Sequence, residues 1–139
     1  MRFLRDWHAI CIYRIQFVPD LLVFKNQKEA DMDEVRYRSV QLYKVLGNPL
    51  RRKILDELAA GPAHPLMLAR RTGRVLCAVS RALGILHAAD LVEYRTEGNG
   101  VAYALKRPDV LALLRHAEAF VRRAARQAVG PSPARGSGP

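Results

Sequence analysis

From Asp33 onward the apolar residues fall into a helical rhythm. Val35, Leu42, Val45 and Leu46, with Tyr37 and Tyr43, predict an amphipathic helix that stops near Gly47. Asn48-Pro49 opens a second helix, because the Asn side chain accepts from free first-turn N–H groups and Pro suits the first helical position. Leu50, Ile54, Leu55 and Leu58 share one face of it, and Gly61-Pro62 closes it. Pro65 starts a short third helix through Leu66, Leu68 and Ala69, stopped at Gly73. A fourth runs over about residues 75–88, with Val79, Leu83 and Leu86 turned inward.

The rhythm then changes. Leu91 to Arg95 and Val101 to Leu105 predict two strands, and Glu97-Gly98-Asn99-Gly100 supplies the positive-φ residues of a hairpin tip. A last helix begins near Pro108-Asp109, with Val110, Leu113, Leu114, Ala117 and Val121 on one stripe and Phe120 beside it. Two short helices joined by a tight Gly-containing turn are a helix-turn-helix unit, and the hairpin that follows is its wing. The expected fold is mainly α with a small β-hairpin: a winged helix-turn-helix of five helices and a two-stranded wing. No internal repeat is present.

Two end segments stand apart. Residues 1–31 are rich in aromatic and β-branched residues around Ile10-Cys11-Ile12-Tyr13 and nearly balanced in charge. Met32 follows at once, so two readings stay open: an upstream stretch outside the working protein, or an extension packing on the domain or its partner. Asp6 and Arg14 interrupt the apolar residues there and no small-residue cleavage site follows, so a secretory signal is not expected. Residues 129–139, built mostly from Gly, Pro, Ser and Ala, are expected to be disordered. Residues 32–128 are the expected working domain.

Composition sharpens the picture through charge. The 139-residue chain suits one domain with a modest core. It carries a net charge of +10, and the excess lies outside residues 1–31. That imbalance favours a polyanionic partner, nucleic acid ahead of an anionic membrane surface. No apolar run is long enough to cross a bilayer, so no membrane partner is expected. Cys11 and Cys77 are the only cysteines and form neither a disulfide framework nor a C-x-x-C pair. A reducing cytoplasm is the expected setting.

The segment Leu42-Tyr43-Lys44-Val45-Leu46-Gly47-Asn48-Pro49-Leu50-Arg51-Arg52-Lys53-Ile54-Leu55-Asp56-Glu57-Leu58 resembles the opening of the ArsR-type winged-helix repressors. Val79-Ser80-Arg81-Ala82-Leu83, then Leu86, then Leu91-Val92 are similar to the end of that family's recognition helix and the start of its wing. The resemblance covers about residues 35–121. It implies a homodimer built from the first and last helices, bound to operator DNA and usually repressing transcription. Three departures are visible. Val75-Leu76-Cys77-Ala78 stands where relatives commonly carry small polar residues, Gly84 sits in mid-helix, and Asp90 replaces the usual Gly before the wing.

Charge and motif coincide. Between Glu57 and Asp90 there is no acidic residue, whereas Arg70, Arg71, Arg74 and Arg81 all fall there. Unopposed positive charge beside a recognition helix suits phosphate contact. Ser80 and Arg81 are the candidates for the groove, with Arg71 and Arg74 on the flanking backbone and Arg70 beside them. Ser80 can bond a phosphate or base edge, or merely its own helix. Val75, Leu76 and Ala78 cannot hydrogen-bond base edges but can touch thymine methyls. Arg95 and Asn99 are the wing candidates for an adjacent minor groove, while Glu97 repels phosphate. Cys77 lies in the same segment. The preferred reading is a small apolar residue in the helical turn, against an exposed thiol whose oxidation disturbs DNA binding.

No metal site is expected. The third-helix region reads His64-Pro65-Leu66-Met67-Leu68 without a cysteine pair, and His116 and Glu118, two residues apart, point to different faces of the last helix. No phosphate-binding loop, nucleophile elbow or H-E-x-x-H occurs, so neither an enzyme nor a cofactor is expected. The expected function is a sequence-specific DNA-binding transcriptional regulator, acting as a homodimer, with an unnamed effector. The competing readings are a winged-helix module that holds a protein partner, for which Val75-Leu76-Cys77-Ala78 speaks, and a sequence-independent architectural DNA binder.

Overall fold

The computed structural model describes residues 32–98 and 100–130. The expectations for residues 1–31, for Asn99 and for nearly all of the 129–139 tail lie outside the described residues. The described elements run α1 (Met32–Leu46), α2 (Pro49–Ala59), α3 (Pro65–Thr72), α4 (Leu76–Ala88), β1 (Val92–Glu97), β2 (Gly100–Leu105) and α5 (Val110–Ala128). This is the winged helix-turn-helix that the hydrophobic pattern predicts.

Each boundary has a chemical cause. Asn48 caps α2: its Oδ1 accepts from the backbone N–H of Leu50 at 3.0 Å and of Arg51 at 3.1 Å, with Pro49 just inside. Arg51 then reaches back to the last-turn carbonyls that end α1. Its Nε donates to Val45 O and its Nη2 to Lys44 O at 2.9 Å, which couples the two helices. Partial burial lowers the pKa of this guanidinium.

α3 and α4 end alike. Gly73 is left-handed at φ 68°, and the N–H groups of Gly73 and Arg74 donate to Arg70 O and Ala69 O. The N–H groups of Asp90 and Leu91 donate in the same pattern to His87 O and Leu86 O, with Asp90 left-handed at φ 60°. Both are paired C-terminal bonds around a positive-φ residue. At α4 the residue is not glycine, and its carboxylate compensates: Asp90 accepts from Lys106 Nζ and lies 3.4 Å from Arg107 Nη2.

The core gathers Ile54, Leu55 and Leu58 of α2, Leu68 of α3, Val79, Leu83 and Leu86 of α4, and Leu91, Val92 and Tyr103 around the wing. β1 and β2 pair antiparallel, with Val92 opposite Leu105 and Glu97 opposite Gly100. Ala63 adds an isolated antiparallel bridge to Tyr103, so the segment before α3 joins the hairpin. Tyr94 lies between His87 and Tyr103, at ring-centroid distances of 5.0 and 5.9 Å.

Residues 109–130 are a separate compact unit, consisting essentially of α5. Within it Val110 and Leu114 are buried, and Leu113, Ala117, Phe120 and Val121 are exposed. On α1, likewise, Val45 is the buried residue while Val35, Tyr37, Val40 and Tyr43 are exposed.

Candidate nucleic-acid interface

Recognition begins with which α4 residues the core leaves free. α4 packs against α2, α3 and β1, which cover one broad side of it. Val79, Ala82, Leu83, Gly84 and Leu86 are buried. The free surface runs through Cys77 and Arg81, one turn apart, with Val75 exposed just ahead of the helix and Ala78 partly exposed.

Ser80 does not belong to that surface. It is only 8% exposed, so the groove contact expected of it has little surface to draw on. Consecutive helical residues diverge by about 100°, so a helix that turns Arg81 outward returns Ser80 toward the side of Val79 and Leu83. As a whole residue it offers a duplex far less surface than Cys77 or Arg81.

The arginines fare differently. Arg70, Arg74 and Arg81 are exposed, and none takes part in an ion pair among the described residues. Arg70 and Arg74 flank the Gly73 turn, and Arg81 lies on the outward face of α4. Arg71 is also exposed, but its Nη1 stands 3.8 Å from Glu57 Oε2, so its charge is partly answered within the protein. The stretch without acidic residues therefore leaves three cations unmatched around the turn and the outward helix face. Cys77 is a free, exposed thiol.

On the wing, Arg95 projects into solvent with its Nη2 2.7 Å from Glu93 Oε1, a partner on the same strand. Asn99 lies outside the described residues. His64, the residue just before α3, meets the wing in a contact that sequence reasoning did not find. Val101 O is 3.0 Å from its Nδ1, so that nitrogen carries the hydrogen and donates, while Nε2 stands 4.0 Å from Glu97 Oε2. His64 thereby links the start of α3 to the hairpin tip. No local pattern in the sequence signals a contact between positions 37 residues apart.

Among the described residues no group of three or more His, Cys, Asp or Glu side chains is placed to hold a metal ion. His116 is bound to its own helix, its Nδ1 2.7 Å from Ala112 O. No described helix is long and apolar enough to cross a membrane.

Similarity to solved structures is extensive. A fragment of a possible transcriptional regulatory protein from Mycobacterium bovis is 31% identical, with a TM-score of 0.57, and the match covers 63% of this chain and 95% of that one. The same target is described elsewhere as a possible ArsR-family regulator, and this chain belongs to the ArsR family. A solution structure of the same target, Mb0332, described as a homodimeric winged helix-turn-helix DNA-binding domain and a possible ArsR-family regulator, matches at 27% identity and TM-score 0.60. That match covers 77% of this chain and all of the other. The transcriptional regulator HlyU from Vibrio vulnificus is 28% identical over 65% of this chain and 94% of its own, with a TM-score of 0.55. No family model and no curated protein sequence matches. ArsR proteins are transcriptional regulators, not enzymes, and this chain is therefore not an enzyme.

Proposed function

We propose that this ArsR-family chain is a sequence-specific DNA-binding transcriptional regulator that acts as a homodimer and represses by occupying promoter DNA in the cytoplasm. One observation carries the reading: Arg70, Arg74 and Arg81 are exposed around the helix-turn-helix and are matched by no acidic partner among the described residues. Cations so placed release counterions when they meet phosphates, which supplies affinity and makes it fall steeply with salt. Arg81 lies on the outward face of α4 for the groove, Arg70 and Arg74 serve the flanking backbone, and Arg71 contributes less because Glu57 competes for it. Arg95 serves the wing, with Asn99.

The homodimer is drawn from the exposed apolar faces. Val35, Val40 and Tyr43 on α1, and Leu113, Phe120 and Val121 on α5, are too many large apolar side chains to leave in water without a partner. The homodimeric state of the Mb0332 domain supports the same assembly. A two-fold dimer presents two recognition helices to half-sites about one DNA turn apart, so the operator is approximately palindromic.

A gel shift on the DNA upstream of the protein's own gene, at several salt concentrations, tests this reading. A discrete, salt-sensitive complex that survives excess random duplex is expected. Binding indifferent to sequence assigns an architectural role instead. No binding at low salt favours the protein-partner reading, which the exposure of Leu66, Met67 and Val75 supports.

A further inference from the structure

We infer that the recognition helix reads its half-sites through thymine methyl groups, with Val75 and Cys77 as the discriminating side chains. The inference rests on the proposed DNA-binding function and adds the base it selects. It follows from what the outward surface of α4 contains. Val75 is 68% exposed and Cys77 is exposed, while Leu76 and Ala78 are partly so. Ser80, the one hydroxyl of the helix, is buried. Ahead of Arg81, the reading surface therefore has no amide, no hydroxyl and no carboxylate.

Such a surface cannot satisfy a base edge. Adenine, guanine and cytosine are distinguished in the major groove by their hydrogen-bonding groups, and a buried donor or acceptor left unpaired costs free energy. Thymine alone adds an apolar group, its C5 methyl. A branched aliphatic side chain such as Val75 covers that methyl without leaving a polar atom dry, and the weakly polar Cys77 thiol behaves similarly. Arg74 just before Val75 and Arg81 one turn after Cys77 suit phosphates on either side, so charge complementarity selects a duplex as occupant of this apolar patch rather than an apolar protein surface. Arg81 retains the option of a guanine at the edge of the thymine contact.

Covering one methyl is worth about a fourfold change in affinity, taking the free energy of burying one CH₂ group. The full-length protein is first used to select duplexes from a random pool at moderate salt. The tightest duplex is then compared, by fluorescence anisotropy, with copies carrying deoxyuridine in place of single thymines, which removes the methyl and leaves the pairing edge intact. Expected is enrichment of thymine in each half-site and about a three- to fivefold weakening for each half-site deoxyuridine, with no change for deoxyuridine in the flanks. The double variant Val75→Ser/Cys77→Ser, at two exposed positions, is expected to bind thymine and deoxyuridine duplexes alike. Equal affinity of the wild-type protein for both, or enriched sites without thymine, overturns the inference and leaves the DNA-binding function standing. No complex with any duplex at low salt overturns both.

Discussion

Ala63 and Tyr103 exchange two backbone hydrogen bonds, each 2.9 Å long, which bind the segment before α3 to the second strand of the wing. Both residues are buried. Helix-turn-helix and wing are thus joined through the backbone as well as through side chains, so their relative orientation survives side-chain motion at the surface. The two parts to which the proposed function assigns one duplex are joined by this pair of backbone bonds.

Tyr103 makes that connection pH-sensitive at the alkaline end. Burial, with the nearby Tyr94 adding to it, pushes its phenol up to about 12. The folded state favours the neutral phenol, so its contribution is full below the ordinary tyrosine value near 10 and disappears as pH climbs toward about 12. Thermal melts followed by circular dichroism are expected to show Tm falling across that interval. Tyr103→Ala, which empties a fully buried aromatic site, is expected to cost roughly 3–5 kcal/mol.

Asp90 combines a backbone demand with a charge demand, and substitutions separate the two. Asp90→Ala keeps the left-handed φ of 60° and loses Lys106 and Arg107, so a loss of about 1–2 kcal/mol in urea unfolding is expected. Asp90→Gly loses the same partners but relieves the backbone, and is expected to fall within about 1 kcal/mol of wild type. The hydrogen bond from Lys106 lowers the Asp90 carboxyl pKa against the opposing effect of burial, with the charges of Lys106 and Arg107 assisting. A depressed carboxyl stabilises the fold above its unfolded value near 4, and that contribution is lost as pH falls through the folded value. The gap between wild type and Asp90→Asn is therefore expected to be full at neutral pH and to close below pH 4.

Asn48→Ala removes the cap that serves both Leu50 and Arg51. A loss of about 1 kcal/mol is expected, read as a fall of roughly 4–8 °C in Tm for a domain of this size.

Much of the architecture is legible in the chain. Asn48-Pro49, Gly73 and the Glu97-to-Gly100 tip each place a boundary through local chemistry, and the Val79-Leu83-Leu86 stripe names the inward side of α4. The reading surface is less legible. Ser80 looks available because it is small and polar and stands beside Arg81, yet the helix packs on three elements and its buried arc is wider than the apolar stripe. Buried Gly84, one turn after Ser80, is the local hint: small residues one turn apart accompany close packing along that flank. His64, Glu97 and Val101, and likewise Arg71 and Glu57, meet only after the chain folds. Only coordinates reveal which cations are already spoken for.

Phe120→Glu and Val121→Glu place charge on an exposed apolar face of α5 without entering a core, Phe120 being 66% exposed. Size-exclusion chromatography with light scattering is expected to show the wild type at twice the monomer mass and the double variant at the monomer mass, with helical content retained. A wild-type monomer across the micromolar range contradicts the dimer.

Contact between the unmatched arginines around the helix-turn-helix and DNA phosphates is read from the salt dependence of the binding constant. For one duplex, the slope of log Kobs against log salt is measured for wild type, Arg74→Ala and Arg70→Ala. Each substitution removes one phosphate contact per protomer and two per dimer, so the slope is expected to become shallower by about 1.8, with affinity lowered uniformly across sequences. Arg71→Ala, already paired with Glu57, is expected to change it less. Slopes identical in all four proteins would contradict this contact.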